Sequence, residues 1–146
     1  MKKYRTLFFV MIFISNPLQS SEYDITILAT NIANFGGIGE WSFSALLESE
    51  KESILFDTGF DENTVLHNAG LLNKDLSKVE KVIISHFHGD HTGGLIRLRN
   101  TYKNINPNAF SIVYVAEDFF TQRYDENGFK NGFIGTYDDV DDFIAA

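Results

Sequence analysis

Cysteine is absent from the 146 residues, which removes disulfides and thiolate metal sites together. Beyond the N-terminus there is no basic patch, and the formal net charge is −8. A nucleic-acid surface needs a stripe of Lys and Arg to neutralise phosphates, so no nucleic-acid partner is expected. No apolar run reaches the roughly 20 residues of a bilayer-spanning helix, so no stable membrane span is expected either. Repeats, linkers and low-complexity segments are missing, and the length allows one domain at most. What is present can fold. Hydrophobic residues make up 44% of the chain and include 14 phenylalanines, enough to bury a core and to set aside a wholly disordered chain.

The first twenty residues are of a different character. A cationic head, MKKYR, precedes the apolar run LFFVMIFI, and SNPLQS follows with a helix breaker and a small final residue. That order is the pattern of a secretory signal, with cleavage after Ser20 or Ser21 and a periplasmic or secreted product. A buried N-terminal strand or helix is the alternative. Removing Lys2, Lys3 and Arg5 from the twelve basic residues leaves nine against twenty acidic ones, a mature charge of −11. Residues 21–146 then form the domain.

That domain reads as alternating strands and helices. YDITILATN (23–31) alternates as a half-buried strand should. FGGIGE is a glycine-rich loop with neither the lysine nor the following helix of a phosphate loop. SFSALLES and SILFD read as two strands joined in a hairpin at EKE. FDENTVLHNAGL has acidic residues early and glycine late, the punctuation of a short helix. KVIIS (81–85) and SIVYVAE are further strands, and GGLIRLRNTYKN is helical, with Leu95, Leu98 and Tyr102 on one face.

The chemistry concentrates just after KVIIS. In SHFHGDHTGG (85–94), three of the chain's four histidines fall within six positions, with an aspartate before the last. His86 and His88 lie two apart, so an extended backbone points both imidazoles the same way. Gly89 allows a tight turn that brings Asp90 and His91 back to them. Imidazole nitrogen and carboxylate oxygen form the ligand set of zinc or another borderline divalent ion, and four such donors can serve two adjacent ions. A metal held there would lower the pKa of a bound water towards ~7 and supply hydroxide at neutral pH. A surface loop that merely happens to hold histidine is the plainer alternative, and histidine is too sparse elsewhere to favour it.

HFHGDH followed by TGG resembles the H-x-H-x-D-H signature of the metallo-β-lactamase-fold superfamily, and ILFDTG (54–59) resembles that superfamily's strand ending in Asp-Thr-Gly. Together with EWSFSALLE, HNAGLL and ISHFHGDHTGGL in this order, the chain is most similar to the dihydropterin-ribofuranosyl-aminobenzene-phosphate synthase-like branch. The resemblance implies an α/β chain, the N-terminal half of an α/β/β/α sandwich. It implies that His86 and His88 hold one metal ion, that Asp90 and His91 hold a second, and that Asp90 also orients the attacking water as the catalytic residue. It further implies that Asp57 supports the metal loop without binding metal, where the plain reading is a turn residue capping the next helix. His67 is read as a surface or helix-end histidine. Members that bind two irons for oxygen chemistry usually have glutamate where this chain has His88, so the resemblance favours zinc hydrolysis, with Mn2+ or Fe2+ also suited to such a site.

The chain departs from the family in one respect. The family's later ligands are two histidines and a bridging aspartate, but no histidine follows His91, and Asp125, Asp138 and Asp139 lie in no recognisable ligand context. The expectation is therefore a C-terminally incomplete domain, whose unfilled sheet face would favour self-association. Two functional classes follow. One is a metal-dependent hydrolase acting through activated water on a small ester, lactone, amide or phosphoester; the other is a truncated, non-catalytic metal-binding remnant.

Overall fold

A hairpin and two helical crossovers build one mixed sheet. The computed structural model describes residues 22–121 together with Tyr124 and Asn127. The expected signal at 1–20, and Asp125, Asp138 and Asp139, lie outside the described residues. Five strands, β1 (Asp24–Ala29), β2 (Ser44–Glu48), β3 (Ser53–Phe56), β4 (Lys81–Ile83) and β5 (Ile112–Tyr114), lie side by side in chain order. The first three run antiparallel, and β3, β4 and β5 run parallel. The turn expected at EKE is formed: Ser49 N–H donates to the Glu52 carbonyl at 2.9 Å, and Ser49 Oγ accepts from the amides of Lys51 and Glu52.

Parallel neighbours need a crossover, and helices supply it. Helix α1 (Thr64–Leu71) links β3 to β4, while α2 (Gly89–Thr92) and α3 (Leu95–Tyr102) link β4 to β5. Apolar spacing decides which face of each helix is buried. Val65 and Ala69 of α1, and Leu95 and Leu98 of α3, join Leu28, Leu46, Leu55 and Val82 of the sheet in one core, with Tyr102 packed at its margin. The expected glycine stop at Gly70 is not used: Gly70 lies inside α1, and Asn73 takes the left-handed conformation (φ 55°) that ends it.

The other face of the sheet stays open among the described residues. Pairing aligns Ile25, Leu47, Ile54, Lys81 and Ile112 in one row, and Ile27, Ala45, Phe56, Ile83 and Tyr114 in the next. At the sheet edges the openness is greatest, with Ile25 63% and Tyr114 52% exposed. The strict alternation expected for β1 gives way at Leu28 and Ala29, which are both buried beside a bulge between Ile27 and Ala29. No described helix is long and apolar enough to cross a membrane.

Candidate metal centre

Parallel strands bring their carboxyl ends to one edge, where open α/β sheets place their ligands. Phe56 of β3 pairs with Ile83 of β4, so Asp57 and Ser85 leave the sheet side by side. Asp57 N–H donates to the Ile83 carbonyl at 2.8 Å, and Ile84 N–H donates to that of Tyr114 at 2.9 Å. The turn after β4 therefore starts from a point tied to both neighbouring strands.

His86, His88, Asp90 and His91 are brought together there. His88 is extended (φ −112°, ψ 148°), as the two-residue spacing required, and places its ring against that of His86 with centroids 4.4 Å apart. The expected turn at Gly89 is instead the short helix α2, and Gly89 does not adopt a positive φ. The glycine requirement falls further on. A β-carbon at Gly93 would meet the Phe60 carbonyl oxygen at 1.9 Å, and one at Gly94 would meet that of Thr58 at 2.2 Å. TGG is thus a packing device that lets the end of α2 sit against residues 58–60, the turn that follows β3.

Asp57 is 1% exposed and takes φ 53°, a left-handed conformation that aspartate tolerates better than most residues. Its Oδ1 accepts from Ser85 N–H at 2.8 Å, and its Oδ2 accepts from Ser85 Oγ–H at 2.8 Å and from His91 Nδ1–H at 2.7 Å. The capping role is not what this carboxylate does; it ties two members of the histidine-rich turn together. An ionised carboxylate only accepts. His91 therefore donates through Nδ1, and Nε2 is the nitrogen left to face a metal. The same logic passes through Ser85. Its hydroxyl proton goes to Asp57, so its oxygen accepts from His86 Nδ1, 2.9 Å away, and the lone pair of His86 stays on Nε2. Burial, then the neighbouring His91 and His88, holds the pKa of His86 below the ordinary histidine value despite Asp57 and Asp90, which favours the neutral ring.

The donor atoms then fall into two pairs. His86 Nε2 lies 3.0 Å from His88 Nδ1, and His91 Nε2 lies 3.4 Å from Asp90 Oδ2. Two ligands on one tetrahedral zinc, each at about 2.0–2.1 Å, stand roughly 3.3–3.4 Å apart. The Asp90–His91 pair has that spacing, and the His86–His88 pair, at hydrogen-bond distance, would open by a few tenths of an ångström to share an ion. Asp90 adds a second sign. Its Oδ1 is buried with no hydrogen-bond partner among the described residues, and such an orphan calls for an ion or water. The donors fit a divalent metal in type, and the Asp90–His91 pair fits one in spacing. Among the described residues, however, no three His, Asp or Glu side chains are arranged around one ion. Each pair would need further ligands from water, substrate or elsewhere.

His67 is apart from this cluster. It is exposed on α1, and its Nε2 is 2.7 Å from the Gly36 carbonyl. A cavity of about 280 Å3 adjoins His86 and His88, walled by Phe87, Ala116, Asp118 and Phe119. Ser85, Thr58 and Glu40 were not singled out by sequence reasoning. Ser85 stands in the histidine motif itself, while Thr58 donates both its N–H (2.7 Å) and its Oγ–H (3.0 Å) to the His91 carbonyl.

Residues 42–140 match the family model of the metallo-beta-lactamase superfamily, and the chain belongs to that superfamily. It is 37% identical over 92 residues to the 7,8-dihydropterin-6-methyl-4-(beta-D-ribofuranosyl)-aminobenzene-5'-phosphate synthase of Methanocaldococcus jannaschii, a match covering 55% of this chain and 31% of that protein. It is 38% identical over 92 residues to ribonuclease Z of Thermococcus gammatolerans, covering 60% of this chain and 26% of that one. Among solved structures, a metal-dependent hydrolase of the beta-lactamase superfamily is 40% identical at a TM-score of 0.44, over 51% of this chain and 26% of that one. The chain spans about a third of the length of the curated relatives it matches.

Proposed function

We propose that the protein is a metal-dependent hydrolase, or the portion of one that carries the histidine-rich half of its centre, with zinc as the metal. The observation that carries this reading is the arrangement of four donors in two pairs on one turn, which the buried Asp57 ties down through Ser85 and His91. His86 and His88 would hold one ion through Nε2 and Nδ1, and Asp90 and His91 a second through Oδ2 and Nε2. Zinc bound there supplies a water acidic enough to act as hydroxide near neutral pH.

The chain's own residues do the rest. Asp57 draws the Nδ1 proton of His91, and through Ser85 that of His86, which leaves the Nε2 atoms to hold the ions. Partners of this kind fix the tautomer and raise ligand basicity. Asp90 Oδ1, buried and without a hydrogen-bond partner among the described residues, would accept a hydrogen bond from the attacking water and so orient it. The cavity beside His86 and His88 suits a small substrate presenting an ester, lactone, amide or phosphoester, with Phe87 and Phe119 excluding bulk water from one side. The acidic mature chain and the signal-like N-terminus support export, and they weigh against an RNA substrate such as the name of ribonuclease Z implies for that relative.

The test is a panel of one substrate from each of the four classes, run with zinc-loaded protein. Turnover of at least one class should be abolished by chelator and by Asp90→Asn. Chelator-insensitive turnover would refute the hydrolase reading. Metal uptake without turnover on any class would leave the remnant reading, in which the cluster binds metal only.

A further inference from the structure

Glu40 ends the glycine-rich loop, 17 positions before Asp57, and its carboxylate accepts four hydrogen bonds. Oε1 accepts from Ser42 Oγ–H at 2.6 Å and from Phe60 N–H at 2.8 Å; Oε2 accepts from Asp61 N–H at 3.0 Å and from Thr64 Oγ–H at 2.9 Å. It sits directly on Gly59, where a β-carbon would come within 2.8 Å of Oε1. A loop with no phosphate-binding features is thus pinned to the start of α1 by one partly buried charge.

What Glu40 holds is the wall against which α2 rests. Gly59 accepts from Gly93 N–H at 3.0 Å through its carbonyl, and its own N–H donates to the Phe43 carbonyl at 3.1 Å. Phe43 N–H reaches the Asp90 carbonyl at 3.4 Å. A β-carbon at Gly89 would lie 3.5 Å from the Phe60 ring, so that ring covers the first turn of α2. The hydrogen bonds of this wall to the centre land on the Asp90 carbonyl and on Gly93, just past His91. His86 is held from the other side, its Nδ1 2.9 Å from Ser85 Oγ, while His88 caps α2 and its carbonyl accepts from the amides of His91 and Thr92.

We propose that Glu40 is a positioning residue for the Asp90–His91 pair, setting the 59–61 turn on which α2 is seated. The inference rests on the metal reading given above, and its test separates the two. In Glu40→Gln, one acceptor oxygen becomes a donor that cannot take the Asp61 and Thr64 hydrogens. Amide hydrogen exchange at Phe60, Asp61 and Gly93 should accelerate while Leu46, Leu55 and Val82 keep their protection. Affinity for Co2+ should fall about tenfold, within the range seen when groups behind metal ligands are lost. In an Asp90→Asn background Glu40→Gln should cause no further loss of Co2+ affinity, whereas in a His86→Ala background it should. An equal loss in both backgrounds would make Glu40 a general structural residue and overturn the proposal, as would unchanged exchange and affinity. Thr64→Val removes a single contact to Glu40 and gives the same readouts if Glu40→Gln does not fold. If the wild-type chain takes up no Co2+, the metal reading fails by itself.

Discussion

Asp57 concentrates three roles in one side chain. It accepts from the backbone of Ser85, fixes the Ser85 hydroxyl, and fixes the ring of His91. Asp57→Asn keeps its shape but replaces an acceptor by a donor facing donors. A buried group left in that state costs about 1–3 kcal/mol, so the metal-free chain should melt earlier in calorimetry. Metal affinity should fall by roughly 10–100-fold, because His91 and His86 lose the group that sets their tautomers. Full affinity in a correctly folded Asp57→Asn would remove Asp57 from the account. His67→Ala tests the converse. Its ring meets the Gly36 carbonyl, well away from the turn, so zinc content should match that of the wild type in elemental analysis.

At the scale of elements, α2 and the loop pinned by Glu40 depend on close approach. Gly93→Ala would drive a methyl group into the Phe60 carbonyl, and the backbone shift that relieves it should cost about 1–3 kcal/mol or more. A denaturant midpoint equal to the wild type would show that α2 does not lie where it is described. Glu40 brings a pH dependence. Burial raises its pKa, but the hydrogen bonds from Ser42, Phe60, Asp61 and Thr64 outweigh this and hold it below the ordinary glutamate value. A depressed carboxylate contributes stability that is complete above its unfolded pKa, about 4.3, and lost as pH falls through the folded one. The stability gap between wild type and Glu40→Gln should therefore be widest near neutrality and close in acid; a gap constant with pH would contradict the assignment.

Periodicity made the strands and helices legible, because alternation and the spacing of Leu95, Leu98 and Tyr102 are local properties of the chain. The histidine-rich turn was legible for the same reason: all four donors lie within six residues. Glu40 and the linking role of Ser85 were not, since their partners stand 20 and 28 positions away and only the folded chain brings them together. The same holds for Gly93, whose need for glycine comes from a carbonyl on another segment rather than from its own φ.

The whole molecule carries an imbalance. Among the described residues one sheet face is packed by α1 and α3, while the edges of the other present Ile25, Ile27, Ile112 and Tyr114, each at least 42% exposed. Apolar side chains exposed on both edge strands of a sheet favour association. The 146-residue chain should sediment with concentration-dependent mass, and Ile25→Lys with Ile112→Lys should shift it towards the monomer. A monomer at every concentration would show that the open face is covered.

If the turn after β4 is a metal centre, the zinc content of the purified chain will show it. Purified chain, equilibrated with zinc and freed of excess, should retain bound zinc in stoichiometric amount. The folded double variant His86→Ala with His88→Ala should lose the ion held by that pair, and Asp90→Asn should keep it. Equal zinc content in the wild type and the double variant would contradict the account at its base.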